Sequence, residues 1–250
     1  MAFCLRRWSL QQDATSDPSL TVRLRALSGP GIVLYPVTAT FAFVDWVMSI
    51  EPKWYSTMFP VIVLIGQIVI ALAFVTLLLA WLREQPPFRP VVTRAHFHDL
   101  GNLLLAFVVF WTYVTFSQLL IIYSGNLPHE IDWYLHRVAG GWKGVIGLLA
   151  LFHFFVPFFL LLFRVMKQNV VRLGIIAGLI FAAHMVEVYW TIEPTFFPHG
   201  VHVHWLDAAA LLGLGGAWLT VFASNLSRHP LLPRNDPRIE YPVTQLAHAQ

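Results

Sequence analysis

Six apolar runs of about 20 residues fill most of the chain between residues 30 and 225, and they leave only one solvent in which it can fold. A hydrocarbon core of roughly 30 Å takes about 20 helical residues to cross, and a helix satisfies its own backbone polar groups there. The runs lie at approximately 31–50, 59–82, 100–123, 144–163, 173–192 and 204–224. They predict an all-α integral membrane bundle of six transmembrane helices over 31–224. A polar segment, 1–30, precedes it, and a polar, proline-rich tail, 225–250, follows.

Composition agrees. Of 250 residues, 57% are hydrophobic and 12% charged, against about 25% charged in soluble domains, and the mean hydropathy is +0.65. An ordinary soluble enzyme is excluded. So is a nucleic-acid binder, because the net charge is only +3 and the arginines fall between apolar blocks instead of forming one patch. Cys4 is the single cysteine, which rules out intramolecular disulfides, Cys-ligated iron–sulfur clusters and a CxxCH haem attachment within the chain. The first 30 residues lack the apolar stretch of a signal peptide.

Lysine and arginine set the orientation. With six spans, 13 of these 16 residues fall in the N-terminal segment, the second and fourth loops and the tail, whereas Lys53, Arg137 and Lys143 fall on the other side. Both termini are therefore expected in the cytoplasm. Tryptophans and tyrosines such as Trp54, Tyr55, Trp133, Tyr134 and Trp142 sit near the outer span ends as interfacial anchors. Ile131, Tyr134, Leu135 and Val138 share the apolar face of a short amphipathic helix. Small residues at spacing four, Gly174–Gly178–Ala182 and Ala209–Gly213–Ala217, read as close-packing stripes.

An ionisable residue inside a span costs roughly 2.5–3.5 kcal/mol on insertion scales, so each needs a partner, water or a function. Asp45, His153, His184, Glu187 and Asp207 fall within spans, with Gln67 and Gln118 as neutral polar neighbours. With the N-terminus inside, all lie between mid-membrane and the outer face. His184 and Glu187 share a helix face at spacing three, where an imidazole and a carboxylate can exchange a proton. Pro157 lacks the N–H that would bond the carbonyl of His153, so a kink is expected there. The set suits a proton relay or a quinone headgroup, with interhelical hydrogen bonding as the simpler account. His153 and His184 also suit a clamped b-type haem. His199, His202 and His204 resemble a metal cluster, yet an interfacial or proton-collecting role fits them better, and no metal is assigned. His96, His98 and Asp99 at the cytoplasmic mouth of the third span are candidate proton-uptake groups, with helix capping by Asp99 as the simpler reading.

Three blocks carry a wider resemblance: TFAFVDWVMSIEPKWYSTMF (40–59), HDLGNLLLAFVVFWTYVTFSQLLIIYSGNLPHEIDWYLHR (98–137) and HMVEVYWTIEPTF (184–196). From about Trp8 to Leu226 the chain resembles the F-type membrane subunit of bacterial alternative complex III, within the NrfD/polysulfide-reductase-like membrane proteins. That resemblance implies an inner-membrane helical subunit with no cofactor of its own. Its partners would be a quinol-binding C-type membrane subunit, a multihaem cytochrome c and an iron–sulfur protein, and it would contribute a proton-conducting path. Asp45, His184 and Glu187 occupy the family's intramembrane acid and fifth-span positions. The family's larger arrangement of two bundles and a flanking pair of helices implies that this chain corresponds to its C-terminal part. A stand-alone transporter and a b-type haem cytochrome are the alternatives.

Overall fold

The structure, a computed structural model, describes residues 1–15 and 17–233. All regular elements among them are helical: α1 (Ala2–Thr15), α2 (Pro18–Trp46), α3 (Phe59–Leu82), α4 (Arg94–Gly125), α5 (Pro128–Val138), α6 (Trp142–Leu149), α7 (Val156–Leu162), α8 (Arg164–Gln168), α9 (Val170–Phe196) and α10 (Trp205–Arg228). A short 3₁₀ turn at Met48–Ile50 follows α2, and a π-helical segment at Ala150–Phe155 joins α6 to α7. Among the described residues, six helical stretches are long and apolar enough to cross a membrane, which makes this a multi-pass, all-α membrane protein.

Boundaries moved outward from the expected ones. The first span begins at Pro18 instead of near 31, the third at Arg94 instead of near 100, and the sixth runs on to Arg228. The helical pattern persists past the apolar run because a helix satisfies its own backbone bonds wherever it stops being apolar. Much of the 1–30 segment is helical, and the expected tail beyond Pro233 lies outside the described residues. The amphipathic helix is present as α5.

Contacts group the chain into two compact units. One comprises Met1–Tyr35, Gln85–Val91 and, of the described residues, those from Val203 to Pro233. Within it, the Gln12 side-chain amide donates to Thr21 Oγ1 at 2.7 Å, and Arg6 pairs with His229. The other, Pro36–Glu84 with Val92–His202, holds the bundle of α3, α4, α6–α7 and α9.

The bundle's dry centre is built from Ile65, Val69 and Ala73 of α3, Leu104 and Val108 of α4, Leu161 of α7, and Leu173, Ile176 and Ile180 of α9. Without a hydrophobic drive between helices in lipid, close approach must supply the packing. The stripe on α9 does so: a Cβ at Gly174 or Gly178 would sit 3.7 and 3.8 Å from Ala80 and Leu77 of α3. The second expected stripe does not, since a Cβ at Gly213, Gly215 or Gly216 would meet nothing within 4 Å, and Leu212 and Leu214 beside them are exposed. Large exposed apolar side chains such as Leu103, Ile121, Phe159 and Ile175 clothe the outside of the bundle, a surface suited to lipid and unsuited to water.

One glycine is fixed by a close approach at the α4–α8 contact. A Cβ on Gly101 would stand 2.7 Å from Cγ of Lys167, whose buried stem fills that space. Gly101→Ala should therefore destabilise the protein by about 1–3 kcal/mol through overpacking, whereas Gly213→Ala should be neutral; thermal unfolding of both variants in detergent is the check.

Candidate functional site

The π segment explains how α6–α7 offers a histidine to the bundle interior. Proline at the second position of α7 supplies no N–H to the carbonyl of His153, and the chain accommodates this by widening to a π turn, with Val156 N–H reaching back to Leu151 O. The expected kink is thus a π segment, and His153 on it has no exposed surface.

Across the bundle, α9 presents His184 and Glu187 one turn apart. Glu187 Oε2 lies 2.9 Å from His184 Nδ1 and 3.3 Å from His153 Nδ1. Neither contact has hydrogen-bond alignment, so both imidazoles approach one carboxylate oxygen without being locked to it. Trp111 of α4 packs on His153 with ring centres 4.3 Å apart. On the far side, a Cβ on Gly66 of α3 would come within 2.9 Å of His184 Cε1, so glycine there makes room for the ring. Three proton-accepting groups sharing one oxygen can take up a single proton and become neutral overall, the state a low-dielectric interior tolerates best.

Next to Glu187 is a cavity of about 680 Å³, lined by apolar and aromatic side chains including Trp54, Phe59, Trp111, Phe116, Trp133 and Phe154. A few polar groups converge on it: Ser56, Thr115, Gln118 and Glu187. Gln118 donates to Ser56 Oγ at 3.2 Å. The indole N–H groups of Trp54 and Trp111 and the Thr115 hydroxyl are buried without a hydrogen-bond partner in the protein.

Above this cavity sits a buried ion pair that the sequence analysis did not single out. Arg137 of α5 is 2% exposed and donates to Glu51 Oε1 at 2.9 Å, to the carbonyls of Thr191 and Trp133, and to Thr195 Oγ1. Thr195 in turn donates to Glu51. The guanidinium also lies 3.7 Å over the Trp133 ring, which stacks on Trp54 at 4.7 Å. Burial pulls the Arg137 pKa down to about 10 against the opposing pull of Glu51. A signal for the pair was present: Ser49-Ile50-Glu51-Pro52 is repeated as Thr191-Ile192-Glu193-Pro194, with Val44-Asp45 and Val186-Glu187 at matching places upstream. Arg137 ties the end of the first copy to the end of the second.

Of the five residues expected to form a proton path, the structure brings together His153, His184 and Glu187. Asp45, the repeat counterpart of Glu187, is exposed on α2 and stands outside the cluster. Asp207 closes a capping box at the start of α10, accepting from His204 N at 2.8 Å, so its role there is to satisfy a helix end. Gln118 lines the cavity, while Gln67 is half-buried on α3 and does not line it. His96 caps α4 with Thr93, displacing the expected cap Asp99, which instead stands exposed 3.7 Å from His98. His98 Nδ1 is 3.3 Å from the Asn102 amide, and Asn102 Oδ1 accepts from Lys167 at 2.6 Å. Of the HGVHVHW histidines, His202 stacks on Phe197 and His204 caps α10.

Among the described residues, His153, His184 and Glu187 are the group whose donor atoms fall within 4.8 Å of one another. Two imidazoles and a carboxylate suit zinc or iron by donor type. A haem clamped by the two histidines would require the Glu187 carboxylate, in contact with both, to move away. No protein-family model matches the chain, and no curated protein matches it.

Removing one partner of a buried pair leaves the other uncompensated, at a cost of about 3–5 kcal/mol. Arg137→Ala should lose stability on that scale, and Arg137→Lys should recover little because one ammonium cannot reach all these acceptors; thermal unfolding decides. Burial also pushes the Tyr134 pKa up to about 12. The folded protein thus keeps this proton where an unfolded tyrosine loses it, so the Tyr134 contribution to stability is complete below about pH 10 and is lost between pH 10 and 12, against the opposite slope from Arg137. Tyr134→Phe should flatten that alkaline fall, measured by denaturant unfolding across the pH range.

Proposed function

We propose that the chain is a membrane subunit of a respiratory quinol-oxidising complex of the alternative complex III type, in the cytoplasmic membrane of a bacterium. His153, Glu187 and His184 carry protons between the bundle interior and the outer face. The observation that carries the reading is the convergence of two imidazoles on one buried carboxylate beside a large cavity. Such a group can accept a proton and return it, as a relay requires. The lysine and arginine distribution supports the Arg137 end facing outward and both termini inward. Haem and iron–sulfur centres, and the electrons they move, belong to partner subunits.

A second reading is favoured by the three unpartnered donors around the cavity. A hydroquinone headgroup offers two oxygens on a flat apolar ring. Its oxygens would accept from Trp54, Trp111 or Thr115, and as two electrons leave for a partner subunit one hydroxyl would release its proton to Glu187 and the other its proton to solvent.

In the assembled complex, Glu187→Gln should lower quinol-driven proton release by about 10–100-fold while subunit composition is unchanged. Normal proton release per electron in that variant contradicts the relay. Trp111→Phe separates the readings: a raised KM for quinol with kcat kept supports headgroup binding in the cavity, and an unchanged KM leaves the relay alone.

A further inference from the structure

The end of the bundle opposite Arg137 holds a cleft of different chemistry. Its volume is about 350 Å³, and its walls are Arg83 after α3, Arg94 at the start of α4, Gln168 of α8, Asn169, and Val165, Val170 and Val171. Two guanidinium groups and two side-chain amides thus face the same space as three valines. Arg83 touches Glu84 at 3.4 Å, but the two side chains are 36% and 69% exposed, and an ion pair that open to solvent holds its partners weakly. Asn169 Oδ1 is committed to Arg172 N as the cap of α9.

Position sharpens the chemistry. The cleft lies where α3 ends and α4 and α9 begin, at the ends of three apolar spans; in a bilayer the end of a span meets the headgroup region. Val165 and Val171 are 63% and 71% exposed beside the arginines. A small soluble anion would need the cations and not the valines, whereas a glycerophospholipid presents a phosphodiester and, one bond further in, an apolar chain.

We propose that this cleft binds the phosphodiester headgroup of an anionic phospholipid, with Arg83 and Arg94 on the phosphate oxygens and Val165, Val170 and Val171 against the acyl-glycerol portion. Guanidinium and phosphate match in geometry and charge. The bound lipid bridges the α3 and α9 ends, which the protein itself does not join by an ion pair among the described residues.

The test is native mass spectrometry of the full-length protein in detergent, titrated with phosphatidylglycerol or phosphatidylcholine. The double variant Arg83→Gln/Arg94→Gln is compared with Arg164→Gln/Arg172→Gln, which removes two cations outside the cleft. The expected result is that phosphatidylglycerol is retained and phosphatidylcholine is not. The cleft variant should bind phosphatidylglycerol about 30-fold more weakly and the control variant like the unaltered protein. Equal binding of both lipids, equal losses in both variants, or displacement of the lipid by inorganic phosphate would each overturn the proposal, the last by identifying a site for free anions. Circular dichroism of the cleft variant verifies that it remains folded.

Discussion

A guanidinium with almost no exposed surface governs everything at one end of the bundle. Arg137 cannot shed its charge and cannot reach water, so its N–H groups must all be answered from within the protein. Glu51 supplies the countercharge, and Thr191, Thr195 and Trp133 supply the remaining acceptors. These partners come from the turn after α2, from the last turns of α9 and from α5 itself. Satisfying one side chain therefore fixes three segments relative to one another. It also seats Trp133 over Trp54 as the roof of the cavity.

With that roof in place, the interior below it becomes a controlled environment. The cavity is mostly apolar, and among the polar groups on its lining are Ser56, Gln118, Thr115, the indole N–H groups of Trp54 and Trp111, and Glu187. The bundle below the histidines is closed by Leu104, Val108, Leu161, Leu173, Ile176 and Ile180, a layer with no ionisable side chain. Lys167 and Asn102 mark the next polar layer, near Gly101. Gly101 and Trp111 are ten residues apart on α4, about 15 Å at the helical rise. For the relay proposed above, this dry layer leaves the Arg137 end as the open direction.

Much of this was legible in the sequence, and the part that was not has a definite cause. Apolar run length revealed the six spans, since hydrocarbon thickness sets their minimum length. Pro157 revealed the irregularity beside His153, because a missing N–H must be accommodated somewhere. Depth along a span singled out His153, His184 and Glu187, but depth is blind to azimuth. Asp45 and Glu187 hold equal places in a repeated pattern, yet one faces two imidazoles and the other is exposed. Glu51 and Arg137 follow no span rule; Arg137 is buried and Glu51 largely so because the turn after α2 and helix α5 come together with the end of α9. The Ser/Thr-Ile-Glu-Pro repeat is the sequence signal that reaches them.

The central claim is that Glu187 changes protonation together with its two histidines. Infrared difference spectroscopy of the reconstituted protein, stepped in pH, reads this directly. The account predicts a carboxyl band that rises and falls with imidazole bands and is lost in Glu187→Gln but kept in Asp207→Asn. A difference spectrum that is the same with and without Glu187 would contradict it.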